Sequence, residues 1–126
     1  MNESATDVIG QRRGTSVIYH NPRCSTSRNA LQFLRDNGIE PTVVEYLKTP
    51  PTRGQLADMI RDAGIDVRTA VRKREAPYAD LGLGDAGDDE LLDAMAANPI
   101  LIERPFVVTP KGTRLARPVD VLREIL

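Results

Sequence analysis

The sequence predicts a mixed α/β domain on three observations. A short β-branched strand runs into a loop and then an amphipathic helix near the start. Helical spacing dominates the middle of the chain, and two short strand signals around a Pro-Lys-Gly turn return near its end. The chain has 126 residues, the size of one domain, and 40% of them are apolar, enough to bury a core.

The first strand is expected over Thr15 to His20, where Val17 and Ile18 are β-branched and Tyr19 is aromatic. Asn21-Pro22-Arg23-Cys24 reads as a loop, and Ser25, Thr26 and Ser27 favour a helix start. Ala30, Leu31, Phe33 and Leu34 carry the helix to Asn37-Gly38, a typical stop. A second strand follows over Pro41 to Leu47. Thr52 and Gln55 are spaced as a capping box for a helix with Leu56, Met59 and Ile60 inward, ending at Gly64. Further helices are expected from Asp66, carrying Val67, Ala70 and Val71, and from Asp89 to Ala97. Ala76-Pro77, Gly82 to Gly87 and Asn98-Pro99 read as loops between them. Strands over Phe106 to Thr109 and Thr113 to Ala116 flank Pro110-Lys111-Gly112, and Pro118 opens a last helix with Val121, Leu122 and Ile125 on one side. The order is β-α-β, three helices, β-β-α, with residues 15–126 as one domain and residues 1–14 as a flexible polar tail.

No apolar stretch approaches the ~20 residues of a membrane span, and residues 1–14 lack the apolar centre of a secretory signal. A cytoplasmic location is therefore expected. A net charge of −1 gives no reason to expect nucleic acid or a membrane surface as partner. Fourteen arginines stand against three lysines, which fits an oxyanion ligand but equally fits a coding bias. One cysteine and one histidine exclude a disulfide framework, a two-thiol cycle within the chain and the usual Cys/His zinc site, so no metal is expected.

Cys24 sits where a strand gives way to a helix. Free N–H groups and the helix dipole there stabilise a thiolate and also bind an anion. Its neighbours Arg23, Ser25, Thr26 and Ser27 are polar, unlike those of a buried structural cysteine. His20 lies four residues earlier and could bias the thiol or serve only the loop. Ser27 and Arg28 could contact an anion or only cap the helix. A phosphatase loop would place Arg six residues after the cysteine, where this chain has Ala30. No phosphate-cradling glycine loop or dinucleotide fingerprint is present. Arg104 and Arg117 each precede a proline, which fixes where their side chains begin. Arg104 stands among Ile100, Leu101, Ile102 and Phe106, where a charge wants a partner. Arg72, in the run Arg72-Lys73-Arg74, reads by default as part of a solvated face.

The segment Tyr19-His20-Asn21-Pro22-Arg23-Cys24-Ser25-Thr26-Ser27-Arg28-Asn29 resembles the active-site segment of glutaredoxin-dependent arsenate reductases. The likeness continues through Tyr46-Leu47-Lys48-Thr49-Pro50-Pro51-Thr52, Val67-Arg68 with Arg72-Lys73, Asn98 to Pro105, and Thr109 to Arg114. It covers nearly all of the chain from Ser16 onward. The resemblance implies a thioredoxin-like fold with a helical insertion between its halves. It implies Cys24 as the nucleophile on arsenate, with His20 and Ser27 helping to hold the thiolate. Arg72, Arg104 and Arg117 fall on the family's oxyanion-binding arginines, and Arg104–Pro105 on its cis-proline bond. The implied activity is reduction of arsenate to arsenite with no bound cofactor, glutathione as co-substrate and glutaredoxin as partner. The alternatives are a glutathione-linked thiol oxidoreductase of the same fold, which would not need all three arginines, and a redox-linked binding protein. The polymerase-binding members of the superfamily use a Cys-x-x-Cys pair, and here the second position is Ser27.

Overall fold

The computed structural model describes residues 15–126, so the tail expected over residues 1–14 lies outside the described part. The described chain forms two compact units. One comprises the chain up to Glu45 together with Arg104–Leu126, and the other is Tyr46–Glu103.

The first unit is built on a four-stranded sheet in the order β2-β1-β3-β4. Strand β1 (Val17–His20) pairs in parallel with β2 (Thr42–Glu45), Ile18 opposite Val43. On its other side β1 pairs antiparallel with β3 (Phe106–Thr109), and β3 pairs antiparallel with β4 (Gly112–Leu115). Parallel neighbours need a crossover, and helix α1 (Ser25–Asp36) supplies it. Alternation along β1 buries Ile18 and His20 more deeply than Val17 and Tyr19. Ile18 and Val107 meet Ala30 and Leu34 of α1, with Ala116, Leu122 and Ile125 completing the core. Helix α1 ends as the Asn-Gly signal predicts: Asn37 caps its carbonyls and Gly38 takes φ +80°.

The second unit is helical. Its elements are α2 (Arg53–Asp62), α3 (Val67–Ala70), α4 (Ala76–Asp80) and α5 (Asp88–Ala97), with 3₁₀ turns at Leu83–Asp85 and Pro99–Leu101. Thr52 Oγ1 accepts from Gln55 N–H at 3.1 Å and Gln55 Oε1 from Thr52 N–H at 2.9 Å, the expected reciprocal cap. Helix α5 packs against α2 and α3 and buries Leu91, Leu92, Ala94 and Met95.

Several expectations need correction. Ala76-Pro77 begins α4 instead of a loop, because a proline in the first helical turn forfeits no intrahelical bond. The segment from Gly82 to Gly87 contains a 3₁₀ turn that buries Leu83, and Asn98-Pro99 leads into another. The insertion therefore holds four α-helices, not three. The helix expected to run through Val71 stops at Ala70, and Val71 forms an antiparallel bridge with Ile102 instead. The closing element, Val119–Ile125, is 3₁₀ in place of α, with Pro118 as its N-cap residue. Strand β1 starts two residues later than the sequence suggests, β2 is trimmed by one residue at its start and two at its end, and β4 is shifted one residue earlier.

Candidate active site

The reactive loop is fixed by local hydrogen bonds. Cys24 is the N-cap residue of α1, with extended backbone (φ −95°, ψ 121°). Its N–H donates to Asn21 O at 3.0 Å, and its own carbonyl accepts the first helical bond, from Arg28 N–H at 3.0 Å. Asn21 Oδ1 accepts from Arg23 N–H at 2.9 Å, and Arg28 Nη1 donates to Pro22 O at 3.0 Å, so both ends of the turn are tied. No side chain caps α1. Its first N–H groups are thereby left to the sulfur, as the orphan donors of any helix N-terminus require a partner.

Burial pushes the half-buried Cys24 thiol up, but a stronger set of opposing effects leaves it below its ordinary value. These are the Ser27 N–H, a hydrogen bond and the positive charge from Arg104, and the Thr26 N–H. A thiolate is thus favoured by two backbone donors and one guanidinium. Arg104 is only 6% exposed, so its charge acts through little solvent.

Beneath the loop, His20 Nδ1 and Ser27 Oγ share a hydrogen bond of 2.7 Å, and the same hydroxyl accepts from Asn21 N–H at 3.0 Å. All three residues are buried. Burial lowers the His20 pKa; Glu45 pulls it up, while Arg28 and Arg35 push it further down. Its charged form is therefore disfavoured, and the imidazole reaches the reactive loop through Ser27, whose backbone N–H serves the sulfur.

Arg117, at the exposed end of β4, donates from Nη1 to Arg104 O at 3.1 Å. The Arg104–Pro105 bond is cis, as the resemblance implies, and so is Arg117–Pro118, which the sequence does not announce. The first unit thus brings together Cys24, His20, Ser27, Arg104, Pro105 and Arg117.

Arg72 belongs to the second unit. Its side chain is 12% exposed and lies between two carboxylates: Nε donates to Glu75 Oε2 at 3.2 Å and Nη1 to Glu103 Oε1 at 2.9 Å. The default solvated face is therefore wrong for Arg72, while Lys73 and Arg74 beside it are exposed. These two line an open pocket of about 380 Å³ with Arg68, Thr69, Val71 and Glu103. Arg68 braces the unit by donating to Tyr78 Oη, Leu83 O and Ala86 O. Sequence reasoning missed Glu75 and Glu103. Glu103 is 31 residues from Arg72, and no local period reports such a pairing. Among the described residues no group of three His, Cys, Asp or Glu is arranged to hold a metal.

The model of the ArsC family matches residues 19–125. The chain is 60% identical to an arsenate reductase of Rhizobium meliloti, over 89% of this chain and 81% of that protein. It is 56% identical to an arsenate reductase of Escherichia coli K12, over 87% and 79% of the two chains. The structure resembles that of an arsenate reductase from Vibrio cholerae with a TM-score of 0.85 and 43% identity, covering 91% of this chain and all of that one. A match of this extent, through both units and with thioredoxin-like relatives of known structure, is decisive: the chain belongs to the ArsC family.

Proposed function

We propose that this protein is an arsenate reductase that converts arsenate to arsenite with Cys24 as nucleophile and an external thiol as reductant. The observation that carries the reading is the convergence of two helix N–H groups and the buried Arg104 guanidinium on the Cys24 sulfur. Such a constellation holds a thiolate and accepts the oxygens of an oxyanion with the same donors. Identity of 60% and 56% to arsenate reductases over most of the chain selects arsenate among oxyanions.

In the first step the Cys24 thiolate attacks arsenic(V), forms an S–As bond and releases an oxygen of arsenate as water. Arg104 and Arg117 of the first unit neutralise the oxyanion. A thiol such as glutathione then supplies the second sulfur. The two sulfurs give up two electrons, arsenic(V) becomes arsenic(III), and Cys24 is left in a mixed disulfide as arsenite departs. Glutaredoxin reduces that disulfide by thiol exchange. His20 and Ser27 hold the loop that carries the thiolate. The chain's one cysteine makes the external sulfur a requirement, and the thiol pool of the cytoplasm supplies it.

Arsenate-dependent NADPH oxidation with glutathione, glutaredoxin and glutathione reductase tests this reading. Turnover is expected for the native protein and is expected to vanish in Cys24→Ser. NADPH oxidation that proceeds without arsenate would move the assignment to a glutathione-linked thiol oxidoreductase.

A further inference from the structure

Asn21 stands between the end of β1 and the nucleophile, and only 4% of it is exposed. A buried amide costs free energy unless its polar atoms are bonded, so its partners show what it is there to hold. Three of its groups engage the segment that carries Cys24. Its N–H donates to Ser27 Oγ at 3.0 Å, its carbonyl accepts from Cys24 N–H at 3.0 Å, and its side-chain Oδ1 accepts from Arg23 N–H at 2.9 Å.

The first two bonds use the backbone of Asn21, and the third belongs to its side chain. An Asn oxygen on the N–H two residues ahead closes a small turn inside the backbone turn from Asn21 to Cys24. Pro22, between them, has no N–H to offer. The N–H groups of Arg23 and Cys24 are thus both turned back onto Asn21. Those that serve the sulfur belong to Thr26 and Ser27, in the first turn of α1. The direction of the Cys24 side chain decides whether the sulfur meets them. That direction is set by the Cys24 backbone, which the turn precedes and which is extended at φ −95° and ψ 121°.

We propose that the Asn21 side chain is a positioning residue for the Cys24 nucleophile. By closing the turn through Oδ1 it holds the loop so that the sulfur faces the Thr26 and Ser27 N–H groups. Those donors then stabilise the thiolate and receive an oxyanion oxygen. Asn21 acts through the backbone of residues 23 and 24. The proposal rests on the reading of Cys24 as the nucleophile on arsenate. A purely structural turn predicts a change in stability alone, whereas a positioning turn also changes how readily the thiol loses its proton.

The test is the pH profile of Cys24 alkylation by iodoacetamide, beside melting temperature and arsenate turnover, in the native protein, Asn21→Ala and Asn21→Ser. Asn21→Ala removes the acceptor and is expected to move the alkylation inflection to higher pH by about one unit, the scale of one net hydrogen bond. Arsenate turnover is expected to fall most between the two inflections, where the variant thiol is protonated and the native one is not. Asn21→Ser, whose hydroxyl closes such a turn more weakly, is expected to place the inflection between those of Asn21→Ala and the native protein. An unmoved or lowered inflection in Asn21→Ala overturns the proposal; joined to a lower melting temperature, it leaves Asn21 a structural role only. Should Asn21→Ala fail to fold, Asn21→Ser carries the test, and a native inflection there overturns the proposal. Alkylation needs no arsenate. A raised inflection in the variants, beside a native protein that turns over no arsenate, sustains the placement of Cys24 and defeats the reductase reading alone.

Discussion

In the proposed mechanism the chemistry turns on Arg104. It is buried, it precedes a cis proline, and its guanidinium reaches the Cys24 sulfur by both charge and hydrogen bond. Lysine at this position keeps the charge but loses the flat fork of donors. Arg104→Lys is expected to lower arsenate turnover about 100-fold, the scale of losing one oxyanion donor. Arg104→Ala is expected to raise the thiol pKa, since the guanidinium stabilises the charged form. The pH profile of Cys24 alkylation by iodoacetamide reads this directly. Its inflection should move to higher pH in the variant, and an unmoved inflection would detach Arg104 from the sulfur. Cys24, His20, Ser27 and Arg104 were all legible in the sequence, by residue type and by resemblance. The carboxylates at Glu75 and Glu103 were not. Glu75 ends a charged run that reads as a solvated face, and no local pattern marks Glu103 until the fold carries it to within 2.9 Å of Arg72.

Elements with strong local signals were read almost to the residue: α1 from its apolar spacing and Asn-Gly stop, α2 from its capping box. Weaker signals misled where proline and glycine were taken only as breakers. Pro77 lies in the first turn of α4 and Gly82, at φ +64°, leads into a short 3₁₀ turn, both compatible with helical backbone next to them. The β3–β4 hairpin shows what a glycine is required for. Gly112 has φ +154°, and a Cβ there would lie 3.2 Å from Ile125 Cγ2. Gly112→Ala is expected to destabilise the protein by about 1–3 kcal/mol, through backbone strain and displacement of a buried core residue. Gly54, in the first turn of α2, has ordinary φ, and a Cβ there would have nothing within 4 Å. Gly54→Ala is expected to be neutral or to stabilise by about 0.5 kcal/mol. Urea midpoints of the two variants give the comparison, and equal shifts would contradict it.

At the scale of the whole molecule, the chain leaves the sheet after Glu45, builds a helical unit, and returns at Arg104 to add two antiparallel strands. The α/β class could be read from the sequence pattern alone, whereas the thioredoxin-like layout was implied by the resemblance and one insertion helix, α4, was missed. Strand order could not be read, because β1 pairs with β3 across the whole of α1, β2 and the helical unit, a contact that the sequence expresses only as two matching apolar strands. Among the described residues no helix is long and apolar enough to cross a membrane. The chain supplies one thiol, so a complete reduction must leave its trace on that sulfur. The most direct measurement of the central claim is a single turnover without glutaredoxin, followed by mass spectrometry of Cys24 and quantification of arsenite. The account predicts a Cys24–glutathione mixed disulfide that forms only when arsenate is present, with one arsenite released per adduct. An adduct that forms equally without arsenate, or without arsenite appearing, would contradict it.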